Sequence, residues 1–436
     1  MLWKLQFSQA VVQLFWRKPL VCKTHISTCG RGIMTSSNVD DWQSRYNVAK
    51  QKIDSSAAEL HHLSQAIWAK PELNYNEHFA HKTLTDFLEK EGFKVERNFV
   101  VDTAFRATYG SDDGLNVCVI SEYDALPDIG HACGHNLIAE SGIAAGIAVK
   151  AALELNGGKD GKVTVMGTPA EEGGAGKVKL IKAKAFDRIH VAMMVHPKPF
   201  TVSAPTPLAL QTMAITYTGK PAHAAAYPWE GLNALDAAVM CYNAISVLRQ
   251  QMKPRWRVHG VISNGGQDPA IIPEVTELQY YLRAPNKLEL EELKTKVEDC
   301  IKGAATISGC KANYEYKIDY LDLKPNSKLV EVYEKNGELV GIKFSQDERL
   351  KTLMGSTDMG NVSYEVPSIH PLYDINTVHP NHTREFTEAS GAPEAQKPTL
   401  DQAKAMALTA LDILKPGNEQ LIQSIQAEFE ESVLKS

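Results

Sequence analysis

Three short, almost wholly apolar runs, Val117–Ser121, Val163–Gly167 and Val191–Val195, each stop just short of residues that can bind a metal or move a proton. Runs of this length bounded by turn signals read as buried strands. Apolarity that is continuous rather than alternating suits strands covered on both faces. Helical patterns separate them; Ile138–Leu155, rich in Ala and Ile, is one such helix. Strands alternating with helices predict an α/β fold with helices on both faces of a mostly parallel sheet. Open sheets of this kind carry their chemistry just past the C-terminal ends of the strands.

Upstream, Leu60, Leu63 and Ile67 recur at i, i+3 and i+7 in a helical stretch from Ala57 to Lys90, which Pro71 interrupts and Leu84, Phe87 and Leu88 resume. Ala104–Tyr109 reads as a further strand. After Pro207 the rhythm changes. Gln211–Thr218, Arg257–Ser263, Val275–Leu282 and Ala312–Ile318 read as strands, with Gly231–Gln251 and Leu288–Ile307 as helices. The order β-α-β-β-α-β is that of a ferredoxin-like unit. Residues 209–322 are therefore expected to form a second domain, inserted into a catalytic domain made of residues 41–208 and 323–436. The return would run through a Lys328–Leu339 helix and long helices after Leu400.

A net charge of -6 with no basic block argues against nucleic acid as the main partner. No run of eighteen apolar residues spans a membrane. The seven cysteines are odd in number and scattered, which suits a reducing, intracellular compartment better than a disulfide framework. The first acid is Asp40, while Lys4, Arg17, Lys18, Lys23 and Arg31 make the leader basic. Residues 1–40 are expected to be a disordered leader on a cytoplasmic protein, or a transit peptide to the mitochondrial matrix. Translation from Met34 would remove that signal.

The chemistry lies at the strand ends. Past the first, His131-Ala-Cys-Gly-His-Asn136 sets Cys133 and His135 two apart on one tight turn, where a thiolate and an imidazole can face a single ion; zinc accepts both. Past the second, Thr168-Pro-Ala-Glu-Glu-Gly-Gly174 carries adjacent carboxylates, which repel one another unless a cation is present. One can ligate the ion while its neighbour takes a proton from metal-bound water. His196 follows the third. Each has an ordinary alternative: a buried Cys beside a structural His, a solvated acidic loop, a satisfied core His. Three successive strand ends make coincidence a poor explanation.

Segments from about Leu60 to Gly391 carry a resemblance: Trp68-Ala-Lys-Pro-Glu-Leu73, Tyr123-Asp-Ala-Leu-Pro127, His131–His135, Pro169-Ala-Glu-Glu172, Gly219-Lys-Pro-Ala-His223 and Ile272-Pro273. The chain resembles the dinuclear metallopeptidase family of aminoacylases, carboxypeptidase G and amino-acid-conjugate amidohydrolases. Within it, Cys-Gly-His-Asn-Leu-Ile and Gly-Thr-Pro-Ala-Glu-Glu-Gly-Gly look most like the aminobenzoyl-glutamate hydrolases and the dipeptidases for basic residues. Ser356-Thr-Asp-Met-Gly-Asn361 and Asn381-His-Thr383 lean toward the dipeptidases.

The resemblance implies two divalent metal ions, zinc or manganese, with Cys133, His135, Glu172, His196 and His382 as ligands. His370 and His379 are alternatives for the last. It implies Glu171 as general base and then acid, and Asp124 as an orienting or bridging carboxylate. His223 would reach a neighbouring subunit's site and stabilise the oxyanion, which implies a homodimer or larger homo-oligomer. Arg283 would grip the substrate carboxylate, or else form a structural salt bridge. The substrate would be a dipeptide ending in Lys, ornithine or Arg, cleaved by metal-bound hydroxide. The alternatives are an N-acyl or aminobenzoyl amino acid, a metal-free binding protein, or a redox or metal store built on Cys133. A cationic side chain needs a carboxylate or several carbonyls in its pocket; Asp268 is a candidate for the acid, with a solvated loop Asp as the alternative. Two positions depart from the family: Asn136 replaces the amidohydrolases' Asp, and Ala270 stands where the family has Asn before Ile-Ile-Pro.

Overall fold

The computed structural model describes residues 36–434. Nearly all of the expected leader lies outside them; its end already belongs to helix α1 (Ser36–Trp68). That helix begins far upstream of Ala57. Its buried positions Trp42, Ala49, Ile53, Leu60, Leu63 and Ile67 fall on one stripe, but the charged residues between the early ones hide it from a short sequence window. The chain continues through α2 (His78–Lys90), β1 (Lys94–Arg97), β2 (Phe105–Gly110), β3 (Asn116–Ser121), α3 (His135–Glu154), β4 (Lys162–Gly167), α4 (Gly176–Lys182), β5 (Val191–Met193) and β6 (His196–Lys198). The smaller sheet takes β7 (Ala209–Thr218), α5 (Ala234–Leu248), β8 (Arg257–Asn264), β9 (Val275–Ala284), α6 (Lys287–Ser308) and β10 (Lys311–Tyr320). The return contributes α7 (Ser327–Leu339), α8 (Glu348–Lys351), α9 (Met359–Val362), β11 (Ser368–Ile369), β12 (Leu372–Asp374), α10 (Arg384–Gly391), α11 (Gln396–Leu414) and α12 (Glu419–Leu434).

The main sheet has the order β1-β2-β4-β3-β5-β11. Pairings β4/β3, β3/β5 and β5/β11 are parallel, while β1/β2 and β2/β4 are antiparallel. The sheet is buried on both faces, as its unbroken apolar strands require. Val117 and Val119 of β3 join a core with α1, α3 and α11, while Cys118 and Ile120 join another with α4 and α9. The edge strand β1, Lys-Val-Glu-Arg, is too polar to announce itself in sequence. Among the described residues α3 alone is long and apolar enough to cross a bilayer, but with 94% of that window buried it serves as a core helix.

The smaller sheet, order β10-β7-β9-β8, is antiparallel throughout and packs on α5 and α6 with its own core. Asn233 and Asn286 cap the two helices, accepting from backbone N–H groups of their first turns. One strand differs from expectation. Val191–Val195 ends at Met193, and His196 opens the separate strand β6, paired in parallel with β12. The chain turns off the main sheet there: Met194 N donates to Ile369 O at 3.2 Å and His196 N to Pro371 O at 2.9 Å.

Candidate metal centre

Four neighbouring parallel strands, β4, β3, β5 and β11, point their C-terminal ends at one cavity. Asp124 follows β3, Glu171 and Glu172 follow β4, His196 follows β5 and His370 follows β11. Cys133 and His135 lie at the start of α3. Gly134 between them has φ +80°, and a Cβ there would sit 2.5 Å from Pro197 Cγ, so the turn needs glycine twice over. Ala170 and His382 also hold positive φ, 58° and 67°, backbone conformations that cost energy and persist where the surroundings fix them. Asn381 fixes the His382 loop by donating to Cys133 O at 3.2 Å and Pro197 O at 3.1 Å.

Cys133 Sγ lies 3.4 Å from His196 Nε2. His135 Nδ1 is 2.9 Å from Asp124 Oδ1, which fixes the ring and leaves Nε2 facing the acids, 3.6 Å from Glu122, 3.9 Å from Glu171 and 3.8 Å from Glu172. The other Asp124 oxygen accepts from Glu172 N at 2.9 Å. Both oxygens of the buried Asp124 are thus engaged, one of them by the His135 ring. His382 Nε2 is 3.6 Å from Glu172 Oε1. Candidate ligand atoms cluster in overlapping groups: Cys133, His135 and His196; Cys133, Glu172 and His382; His135, Glu171 and Glu172. His135 Nε2 and Glu172 Oε1 are buried without a hydrogen-bond partner. Orphaned buried atoms in a thiol, imidazole and carboxylate set are what a cation would satisfy, so these residues fit a metal centre.

The electrostatics agree. Burial, then Glu122, Glu172 and Asp358, hold the Glu171 carboxyl well above its ordinary range. Burial lifts Glu172 to about 7 and the Cys133 thiol to about 12. Burial keeps His196 and His382 neutral, His382 at about 4. Bound cations would reverse these shifts for the acids and the thiol.

Of the histidines left open for the last ligand, His382 joins a ligand group and exposed His379 joins none. His370 also joins none. It is buried, its ring centroid is 5.5 Å from that of His196, and both its ring nitrogens lack partners. Arg283 lines the same cavity of about 660 Å³, where its Nη1 donates to Ser356 Oγ at 2.7 Å. No carboxylate pairs with it among the described residues. His223 is not in this cavity. It lies exposed on the smaller sheet's loops, where its Nδ1 accepts from Ala225 N and Ala226 N, both at 3.2 Å.

Sequence reasoning missed a buried charge cluster behind Glu171. The Lys177 ammonium contacts Glu122 and lies 2.7 Å from Asp358 Oδ1, while Lys177 N donates to Asp358 Oδ2 at 2.9 Å. Burial opposes the charge, but Asp358 and Glu122 hold the Lys177 pKa above its ordinary value. Glu122, Glu171 and Asp358 could themselves group around a cation, and Lys177 already supplies one. Tyr320 of β10 donates to Glu171 O at 2.6 Å, tying the smaller sheet to the glutamate turn. Glu122 and Asp358 both sit inside or beside the motifs quoted above, but nothing in the chain marks Lys177 as their partner.

The chain matches the model of peptidase family M20/M25/M40 over residues 118–396. It belongs to this family. It is 48% identical over 395 residues to the Xaa-Arg dipeptidase of Mus musculus, covering 87% of this chain and 91% of that protein. It is 26% identical over 465 residues to a p-aminobenzoyl-glutamate hydrolase chain of Escherichia coli K12, covering 89% of this chain and 95% of that protein. In fold it is similar to a Bacillus subtilis crystal structure described as a dinuclear metal binding peptidase of the M20 family, with TM-score 0.63, 18% identity, and coverage of 82% of this chain and 99% of that one.

Proposed function

We propose that this chain is a metal-dependent dipeptidase cleaving dipeptides that end in Lys, ornithine or Arg. The observation that carries the reading is the set of overlapping donor groups sharing Cys133, with orphaned buried atoms, beside the Glu171–Glu172 pair. The basic substrate rests on the 48% identity to a Xaa-Arg dipeptidase. Cys133, His135, Glu172, His196 and His382 would hold two divalent ions; the thiolate and imidazole donors suit zinc, with manganese as the alternative. Such ions, when bound, polarise the scissile carbonyl and ease the ionisation of water.

The chain's own groups do the rest. Asp124 fixes the His135 ring so that Nε2 faces the centre. The Glu171 carboxylate takes the proton from the attacking water and returns it to the leaving amide nitrogen. Its place beside the donor groups, in the same cavity, puts it within reach of both the water and the leaving nitrogen. Arg283, which pairs with no acid among the described residues, grips the C-terminal carboxylate of the dipeptide. His223 from a second subunit donates to the developing oxyanion. That assembly is a homodimer joined through the smaller sheet, whose edge strand β8 exposes Val261 and Ile262.

A second reading, hydrolysis of aminobenzoyl or N-acyl amino acids, draws on one observation. Two cations, Lys198 and Arg283, line the cavity, which suits a substrate with two carboxylates. The test compares kcat/KM on β-alanyl-lysine, β-alanyl-leucine, aminobenzoyl-glutamate and an N-acetyl amino acid. Preference for β-alanyl-lysine is expected; preference for either acylated amino acid would replace the first reading with the second.

A further inference from the structure

A dipeptide ending in Lys or Arg brings a cationic side chain, and the cavity at the metal centre has no free acid to receive it. Among the residues lining that cavity, the only carboxylates are Glu171 and Glu172, both already engaged as base and ligand. The other charged side chains there, Lys198 and Arg283, have the wrong sign. An unpaired charge out of water is costly, and a carboxylate from outside the cavity would offset it.

A second concavity on the smaller sheet supplies one. Pro221, Ala222, His223, Asp268, Ala270 and Ile271 line it. Two loops form it and are joined by backbone pairing: His223 bridges Ile271, Ala224 N donates to Ala270 O at 2.9 Å, and Ile272 N to Ala222 O at 3.0 Å. His223 and Asp268 are therefore carried on one unit, and any partner that meets one meets the other. Asp268 Oδ1 accepts from Ala270 N at 2.8 Å, which sets the side chain, while Oδ2 has no partner among the described residues. Beside it, Tyr227 and Trp229 are 61% and 73% exposed, large apolar surface of the kind a second copy covers. Among the residues lining this concavity, Asp268 is the one carboxylate, and it stands beside His223.

We infer that Asp268 of one subunit enters the partner's cavity together with His223 and supplies the carboxylate that pairs with the basic side chain of the substrate. The inference rests on the dipeptidase reading and deepens it: the hydrolytic machinery belongs to one subunit and the charge selection to the other.

The readout is the ratio of kcat/KM on β-alanyl-lysine to that on β-alanyl-leucine. A wild-type ratio near one would overturn the basic-dipeptide reading and this inference with it. With a high wild-type ratio, Asp268→Asn should lower it by roughly 30-fold or more, the low end for a broken buried charge pair. An unchanged ratio would overturn the assignment of Asp268 alone. Asp268→Ala serves as the second variant and should behave alike, because the exposed loop tolerates both. The origin of the acid is tested in mixed dimers of Glu171→Gln and Asp268→Asn chains. Each mixed dimer keeps one intact Glu171 site, and that site faces the other chain's intact Asp268. A lysine preference restored in the mixture supports delivery from the partner. A mixture that keeps the low ratio of Asp268→Asn alone would overturn it.

Discussion

Replacing Lys177 with Met removes the cation from a cluster that has no water to turn to. Lys177, Glu122 and Asp358 are all fully buried, and Lys177 meets Asp358 through both its ammonium and its backbone N–H. Removing one partner of a buried ion pair typically costs about 3–5 kcal/mol, because the charge left behind is uncompensated. Asp358 limits the loss. Burial, opposed by Lys177, leaves its carboxyl at about 6, so it can escape by taking a proton. Losing the ammonium raises that carboxyl further, so taking up a proton at neutral pH relieves much of the charge left behind. The expected loss is therefore near the low end, about 3 kcal/mol, read as a fall in urea-unfolding free energy of the metal-loaded protein at pH 7. Adding Asp358→Asn to Lys177→Met should recover part of it. The same change reaches the chemistry, since Lys177 and Glu171 attract one another. Without the ammonium the Glu171 carboxyl binds its proton still more tightly, so the acid limb of the kcat profile moves to higher pH. A loss below about 1 kcal/mol, the scale of a surface pair, together with an unmoved acid limb, would refute the reasoning.

Three other outcomes follow from the site. Glu171→Gln should lower turnover by roughly two to four orders of magnitude with metal content near wild type; comparable activity would remove Glu171 from its role. His382→Ala should lower bound metal measured by elemental analysis while His370→Ala leaves it unchanged, and the opposite pattern would make His370 the ligand. Inactive Glu171→Gln and His223→Ala chains, mixed and shown to exchange subunits, should recover activity, and no recovery would count against a shared site.

Much of this was legible in the sequence because the chemistry is local. Cys133 and His135 share one turn, Glu171 and Glu172 are adjacent, and each group follows an apolar strand whose burial is written in its composition. The β-α-β-β-α-β rhythm of the smaller sheet is equally local, since alternation and helical periodicity need only short windows. The Lys177 cluster was not legible, because its partners Glu122 and Asp358 lie 55 and 181 residues away and only the fold brings them together. The sequence favours His382 over His370 although both lie in one stretch, and in the structure it is His382 that groups with Cys133 and Glu172. The partners of Asp124 were hidden in the same way as those of Lys177, since the His135 ring and Glu172 N come from separate turns.

The central claim is that Cys133, His135, Glu172, His196 and His382 form a two-ion centre on which hydrolysis depends. Titrating metal-free protein with zinc while following β-alanyl-lysine hydrolysis tests it most directly. Activity should be absent at the start and reach its maximum at two ions per chain. Full activity before any metal is added, or a maximum that does not depend on metal, would contradict it.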